Sequence, residues 1–163
     1  MNDTTIITIE DIKNVTSISQ NVDVEMLEPF LFNAQLMYIQ PLVGQALYDA
    51  IIAEIEAGTG STYTSLIDNY ILNALSYATF FSFLPFNHLK VQKKGVLLQT
   101  SDNSTSASPE EFALLSGRVE GMMTYYLRRL KEYLDDNKTT YTLYKTSDQI
   151  SPQNSSSIFL GFS

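Results

Sequence analysis

The stretch that decides the fold runs from Leu66 to Leu84 and reads LIDNYILNALSYATFFSFL. Its apolar residues recur three and four positions apart, which places them on one face of a helix. The stretch carries a single charge, Asp68, so we expect this helix to lie at the centre of the fold or under a second subunit. We predict a helix from about 62 to 84, ended by Pro85. The apolar stripe comprises Leu66, Ile67, Tyr70, Ile71, Ala74, Leu75, Ala78 and Phe81.

Two helices are predicted before this stretch. Asp23 is a candidate N-cap for a helix over 24–39, which we expect Pro41 to end. Gly44 opens another helix, and Gly58 ends it near Ala57. Upstream, residues 6–9 form a short β-prone run and residues 10–13 a single turn.

A different pattern follows the central helix. Two β-prone runs around a glycine-containing turn predict a hairpin over 88–99. Residues 100–108 are nearly all polar and predict a mobile loop. Ser108, Pro109 and two acidic residues then form a strong helix start. This last helix ends near Asn137, and we expect Tyr126, Met122 and Met123 to belong to its core face.

The C-terminal residues differ from the rest of the chain. A polar run, 153–157, precedes the apolar cluster Ile158, Phe159, Leu160 and Phe162. Such a cluster either folds back onto its own core or docks on a neighbour. We therefore predict a mainly all-α fold, with a four-helix bundle-like body over 1–138 and an extended C-terminal tail over 139–163.

Composition excludes several classes of site. Among the 163 residues there is no Cys and one His, His88, so disulfides, thiolate sites and His-rich metal sites are excluded. No nucleophile elbow or glycine-rich phosphate loop is present. We expect no enzyme, no cofactor and no metal, and His88 to be structural or exposed. The chain starts without the basic and apolar regions of a signal peptide, and its most apolar stretch is short for a membrane span.

Charge is distributed unevenly along the chain. The formal net charge is −8, and residues 1–57 contain nine acidic residues and one basic residue, Lys13. The remaining residues are balanced. This polarity indicates a body with an acidic side and a neutral or locally basic side, although a merely soluble acidic surface explains it as well.

Basic residues concentrate in two sets. Both sets are candidate partner-binding residues. One set is Lys90, Lys93 and Lys94 on the hairpin, and the other is Arg128, Arg129 and Lys131 on the last helix. Tyr125, Tyr126 and Tyr133 lie beside the second set, a combination compatible with nucleic-acid stacking. The overall acidity argues against that interpretation and favours a neighbouring copy of the chain as the partner.

One stretch resembles a known family. Residues 39–48 read IQPLVGQALY, preceded by Asn33-Ala34-Gln35 and followed by the long apolar helix, a Lys-Lys-Gly-Val turn at 93–96, a Ser-rich loop and a closing helix. Over residues 5–145 this order resembles the small all-α head-to-tail connector, or adaptor, proteins of tailed phages, including those of Bacteroides-type and crAss-like phages. The Ile-x-Pro-Leu-x-Gly-x-x-Leu-Tyr stretch is its most specific part.

The resemblance implies a bacteriophage structural protein in the neck of the virion. It implies a homo-oligomeric ring of about a dozen copies below the portal, contacts with portal and other neck or tail proteins, and passage of DNA without specific binding. Lys93, Lys94, Arg128, Arg129 and the apolar C-terminal cluster are then expected to contact neighbouring proteins. Two alternatives are a small soluble helical interaction module or regulator and, far behind, a hydrolytic or transfer enzyme that uses His88.

Overall fold

The described part of the chain is mainly helical, as the sequence predicts. The computed structural model describes residues 4–18, 20–60, 62–92, 95–98 and 108–144. Two wider π-helical turns, Gln35–Ile39 and Ile67–Ile71, join α-helical segments. The α-helices are α1 (Ile9–Val15), α2 (Val24–Ala34), α3 (Gln40–Val43), α4 (Gln45–Ala57), α5 (Thr64–Leu66), α6 (Leu72–His88) and α7 (Pro109–Asp136).

Helix α6 occupies the centre of the fold. It packs against α7, α2 and α1, and Ala74, Leu75 and Ala78 have no exposed surface. The two alanines let neighbouring helices approach closely, and the charge-poor sequence leaves no ionised side chain to desolvate. The prediction of a central position for this helix is confirmed.

The turn that begins this apolar stretch corrects one predicted core residue. Leu66 and Ile71 are both fully buried, and they are five residues apart across the π-helical turn Ile67–Ile71. In a regular α-helix, Tyr70 would follow Leu66 on the buried face. The extra residue in the wider turn rotates Tyr70 to the flank, where it is half-buried rather than among the most buried residues.

The predictions that Pro41 and Pro85 end their helices are wrong. The helical path passes Pro41 and continues to Val43, and α6 passes Pro85 to end at His88. Before Pro41, the Gln40 N–H donates to the Gln35 carbonyl, five residues back. The backbone hydrogen bonds here therefore already differ from the regular α-helical pattern that a proline would interrupt. Pro85 lies in the last turn of α6. The backbone N–H that proline lacks is lost there at little cost, because the helix ends three residues later.

Two glycines separate helices as predicted. Gly44 has φ of 82° between α3 and α4, and Gly58 has φ of 63° at the end of α4. Both values lie in the region that glycine adopts without steric cost. The chain therefore turns sharply after Val43 and again after Ala57.

The predicted β-prone run over residues 6–9 forms a bend and the start of a helix rather than a strand. Thr8 caps α1 in a reciprocal capping box with Asp11, so Ile9 begins a seven-residue helix instead of ending a β-prone run. Ile6 and Ile7 lie in a bend and are buried. Asp23 occupies the N-cap position of α2 as predicted, but its side chain makes no capping hydrogen bond.

The segment between α6 and α7 contains a two-stranded antiparallel ladder. Strand β1 (Leu89–Gln92) pairs with β2 (Gly95–Leu98), and Leu89 lies opposite Leu98. The turn residues Lys93 and Lys94, and the predicted mobile loop up to residue 107, lie outside the described residues.

Helix α7 begins where the sequence predicts and the body extends beyond its end. Ser108 and Glu111 form a capping box, and Asn137 is the C-cap. Tyr141 and Tyr144 are buried against the core. The predicted boundary at 138 therefore needs correction, because the body includes residues 139–144. Residues 145–163 lie outside the described residues.

Candidate partner-binding surface

Helix α7 has a buried face and an outward face. Val119, Met123, Leu130 and Leu134 are buried against the rest of the molecule. At about 3.6 residues per turn, the outward face carries Leu114 and Tyr125 opposite these residues and Met122 at its flank. The core position predicted for Met123 is thus confirmed, whereas Tyr126 is half-buried.

The outward face of α7 is unusually apolar for an exposed helix surface. Leu114 is 60% exposed, Tyr125 49% and Met122 39%, so the core position predicted for Met122 is wrong. Leu115 is also exposed beside them. Exposed apolar residues that cluster on one face, rather than scatter singly, mark contact surfaces.

A shallow depression runs along this outward face. It has a volume of about 360 Å³ and is lined by Gly117, Glu120, Gly121, Thr124, Tyr125 and Arg128. A Cβ built at Gly117 or Gly121 would meet no atom within 4 Å. The two glycines therefore leave the helix backbone open to close approach by another chain.

The two predicted arginines lie at the C-terminal end of the same surface. Arg128 is 3.8 Å from the Glu132 carboxylate, with both side chains about two thirds exposed, and 5.9 Å from the Tyr125 ring centroid. Arg129 lies 4.9 Å above the Tyr70 ring. These exposed contacts orient both guanidinium groups at little energetic gain, so a partner can replace them.

The third basic residue of this set is engaged internally. The Lys131 ammonium pairs with Asp135 and Lys138 lies 3.5 Å from the same carboxyl group. The hydrogen bond from Lys131 holds the pKa of Asp135 below its usual value, and the Tyr144 hydroxyl also donates to Asp135, over 3.0 Å. Lys131 therefore contributes to the attachment of residues 139–144 rather than to the outward face.

Most tyrosines near the arginines are packed inside the molecule. Tyr133 stacks on Tyr70 with ring centroids 3.8 Å apart, and Tyr126 stacks on Tyr77 at 5.4 Å. A ring already stacked within the fold offers at most one face to a base. Of the three tyrosines next to the basic set, Tyr125 alone is exposed and the other two are half-buried, which weakens the nucleic-acid interpretation.

A second surface lies between α2 and α4. A groove of about 420 Å³ has Phe32, Leu36 and Ile52 along its floor and the carboxylates of Asp49 and Glu56 at its rim. These acidic residues belong to the charge-rich first third of the chain. Sequence spacing alone could not predict that these residues of α2 and α4 lie close together, because the sharp turn at Gly44 brings them together.

The remaining predicted partner-binding residues cannot be placed on either surface. Lys93, Lys94, Ile158, Phe159, Leu160 and Phe162 lie outside the described residues. The exposed Leu114 was missed as a candidate, and Tyr125 was considered only beside the basic set, although α7 has more apolar residues than one buried face can hold. Within the described ranges, no cluster of His, Asp and Glu could hold a metal ion, and no helix is long and apolar enough to cross a membrane.

Comparison with known proteins gives one match. No curated protein and no solved structure matches the chain. A family model, described as a family of unknown function, DUF6712, matches residues 39–154. The matched range begins at the Ile39 stretch, includes α4, α6 and α7, and covers more than half of the chain. The chain therefore belongs to the DUF6712 family.

Proposed function

We propose that this protein is a structural protein of a tailed-phage virion, a head-to-tail connector that forms a ring between portal and tail. The ring would be assembled in the host cytoplasm and would let DNA pass without binding it specifically. The proposal rests on the resemblance of residues 39–48, together with the surface properties of the described chain. We propose no catalytic activity.

The observation that supports it best is the outward face of α7. A helix whose core face is already satisfied carries a second stripe of exposed apolar side chains, Leu114, Met122 and Tyr125, ending in two arginines. A subunit of a permanent assembly needs such a face, because the contact with the next subunit must bury apolar area. The acidic first third of the chain supplies a surface of opposite character.

In this proposal the body consists of the four longer helices, α2, α4, α6 and α7. The hairpin around Lys93 and Lys94 and the C-terminal cluster Ile158–Phe162 extend the contacts to neighbouring proteins. Segments that become ordered upon assembly can contact several partners at a modest affinity per unit area.

Native mass spectrometry of the purified chain, alone and with portal rings, tests the proposal. We expect a closed ring of about a dozen copies, at the latest when the portal is present. A monomer or dimer that never joins a portal would favour the alternative, a small helical interaction module or regulator.

A matched pair of variants sharpens the test. Met122→Lys places a charge in the outward face and should reduce ring formation, because an unpaired charge in an apolar contact is costly to desolvate. Ser65→Lys adds the same charge on α5, at an exposed position outside α7, and should leave the ring intact. Both variants should melt like the unmodified chain, which separates assembly from folding.

A further inference from the structure

The groove between α2 and α4 has the chemistry of a receptor for a long cationic side chain. Its floor is apolar, formed by Phe32, Leu36 and Ile52, and the carboxylates of Asp49 and Glu56 stand at the rim. An arginine has this combination, since its methylene stem packs on apolar surface while the guanidinium binds a carboxylate in a planar, bidentate manner.

The carboxylate of Asp49 is oriented within the subunit by a neutral donor. It accepts a hydrogen bond from the Gln45 amide, over 2.6 Å, and Asp49 is exposed. The Gln45 donor is neutral, so the contact orients the carboxylate without cancelling its charge. On the same face of α4, Glu56 accepts from the Thr4 hydroxyl over 2.8 Å.

Complementary charge is available on the chain itself. Helix α7 exposes Arg118 in its first half and Arg128 and Arg129 in its second half, among exposed apolar residues and the acidic Glu120 and Glu132. Two copies of the acidic groove would repel each other, so an interface that pairs identical grooves is disfavoured. Contact between the two unlike faces is heterologous, and heterologous contacts generate a ring when the rotation from one copy to the next closes.

We infer that copies of this chain join head to tail, with the Tyr125–Arg128 end of α7 in one copy seated in the groove between α2 and α4 of the next. Arg128 then exchanges its exposed partner Glu132 for the neighbour's Asp49 and Glu56. Tyr125 packs beside it on the apolar floor. This inference rests on the proposed ring and specifies which surfaces form it.

Disulfide trapping in the full chain tests this interface directly, because the natural sequence has no cysteine. Thr124→Cys lies beside the arginine in the α7 depression, and Ala53→Cys lies in the groove of α4. After mild oxidation, a mixture of the two single variants should give a cross-linked heterodimer. The chain with both substitutions should give a ladder of higher multimers, and Ser65→Cys, mixed with either single variant, serves as the negative control.

Charge reversal supplies an independent measurement. Adding Asp49→Lys to the Ala53→Cys chain should lower its cross-linking with Thr124→Cys about tenfold, since a like charge then faces Arg128. Adding Arg128→Glu to the Thr124→Cys partner should restore the yield. Restoration by the second reversal would not follow if the first had merely unfolded α4.

The outcomes separate this inference from the proposed function. Rings that form without cross-linking between positions 53 and 124 would overturn the inference and leave the connector proposal standing. A ladder from a chain that never joins a portal would support the interface and contradict the connector role. Equal cross-linking by the Ser65→Cys control would overturn the inference as non-specific.

Discussion

Gln35 donates from its side-chain nitrogen to the Tyr48 hydroxyl over 2.7 Å in the interior of the molecule. The same amide nitrogen donates to the Thr4 carbonyl, and its oxygen accepts from the Ile6 N–H over 2.7 Å. One buried glutamine thus joins the N-terminal segment, the π-helical turn and α4. Buried polar groups persist in cores when they are hydrogen-bonded in this way.

Replacement of Gln35 should therefore destabilise the protein through its unpaired partners. We expect Gln35→Leu to lower the free energy of unfolding by about 1–3 kcal/mol, because the buried Ile6 N–H loses its acceptor. Urea denaturation measures the change. Tyr48→Phe should cost less, and the double variant should cost less than the sum of the two, since both remove one network. Gln45→Ala, at an exposed position, should change stability by less than about 0.5 kcal/mol.

Leu75 provides the corresponding test for the apolar core. It is fully buried in α6, and we expect Leu75→Ala to lower the free energy of unfolding by about 2–5 kcal/mol, because the cavity refills incompletely. Leu114→Ala on the outward face of α7 is the control and should have a small effect on the isolated subunit. A loss below about 1 kcal/mol for Leu75→Ala would contradict the packing described for α6.

The position of α6 could be predicted because its composition admits few environments. An apolar helix with one charge must be covered, and the capping signals at Ser108 and Gly58 depend on adjacent residues alone. The π-helical turns could not be predicted in this way. A wider turn leaves no spacing signature of its own, yet it decides that Tyr70 lies on the flank and that the chain passes Pro41. The groove between α2 and α4 depends on the turn at Gly44, so it could not be predicted from the sequence either.

The segment after α7 should divide into a stabilising part and a dispensable part. Truncation after Lys145 keeps Tyr141 and Tyr144 and should leave the thermal melting of the isolated subunit nearly unchanged while weakening assembly. Truncation after Thr140 removes both buried rings and should cost at least about 2 kcal/mol. Differential scanning calorimetry compares the two. Severe unfolding of the chain truncated after Lys145 would show that residues 146–163 belong to the subunit's own core.

The same two tyrosines predict the alkaline limit of stability. Burial, followed by the hydrogen bond with Tyr133, raises the pKa of Tyr141 to about 12, and burial, followed by the contact with Asp135, raises the pKa of Tyr144 to about 12. A raised pKa means that the folded state favours the neutral phenol. Their contribution is therefore complete below the ordinary pKa of 10.0 and is lost as the pH rises towards about 12.

A base titration followed by phenolate absorbance and circular dichroism checks this prediction. Tyr141 and Tyr144 should ionise late, near pH 12, together with the release of residues 139–144. Tyr144→Phe should remove one late transition and flatten the decline of stability with pH. Ionisation of every tyrosine near the ordinary value, in a chain that is still folded, would contradict the burial described here.

The last prediction concerns DNA. A channel wall that lets a duplex slide should not bind phosphates, because each phosphate neutralised by Lys or Arg adds a salt-dependent attraction. We therefore propose that part of the acidic excess of residues 1–57 lines the channel, and that Arg128 and Arg129 face neighbouring proteins. The alternative places these acidic residues on the outer surface, where they maintain solubility. The isolated protein should bind duplex DNA weakly even at low salt, as measured by fluorescence anisotropy. The double variant Arg128→Glu, Arg129→Glu should damage assembly and leave that weak binding unchanged, whereas Ser65→Glu should do neither. Tight and steeply salt-dependent binding that disappears in the double variant would assign the arginines to nucleic acid instead.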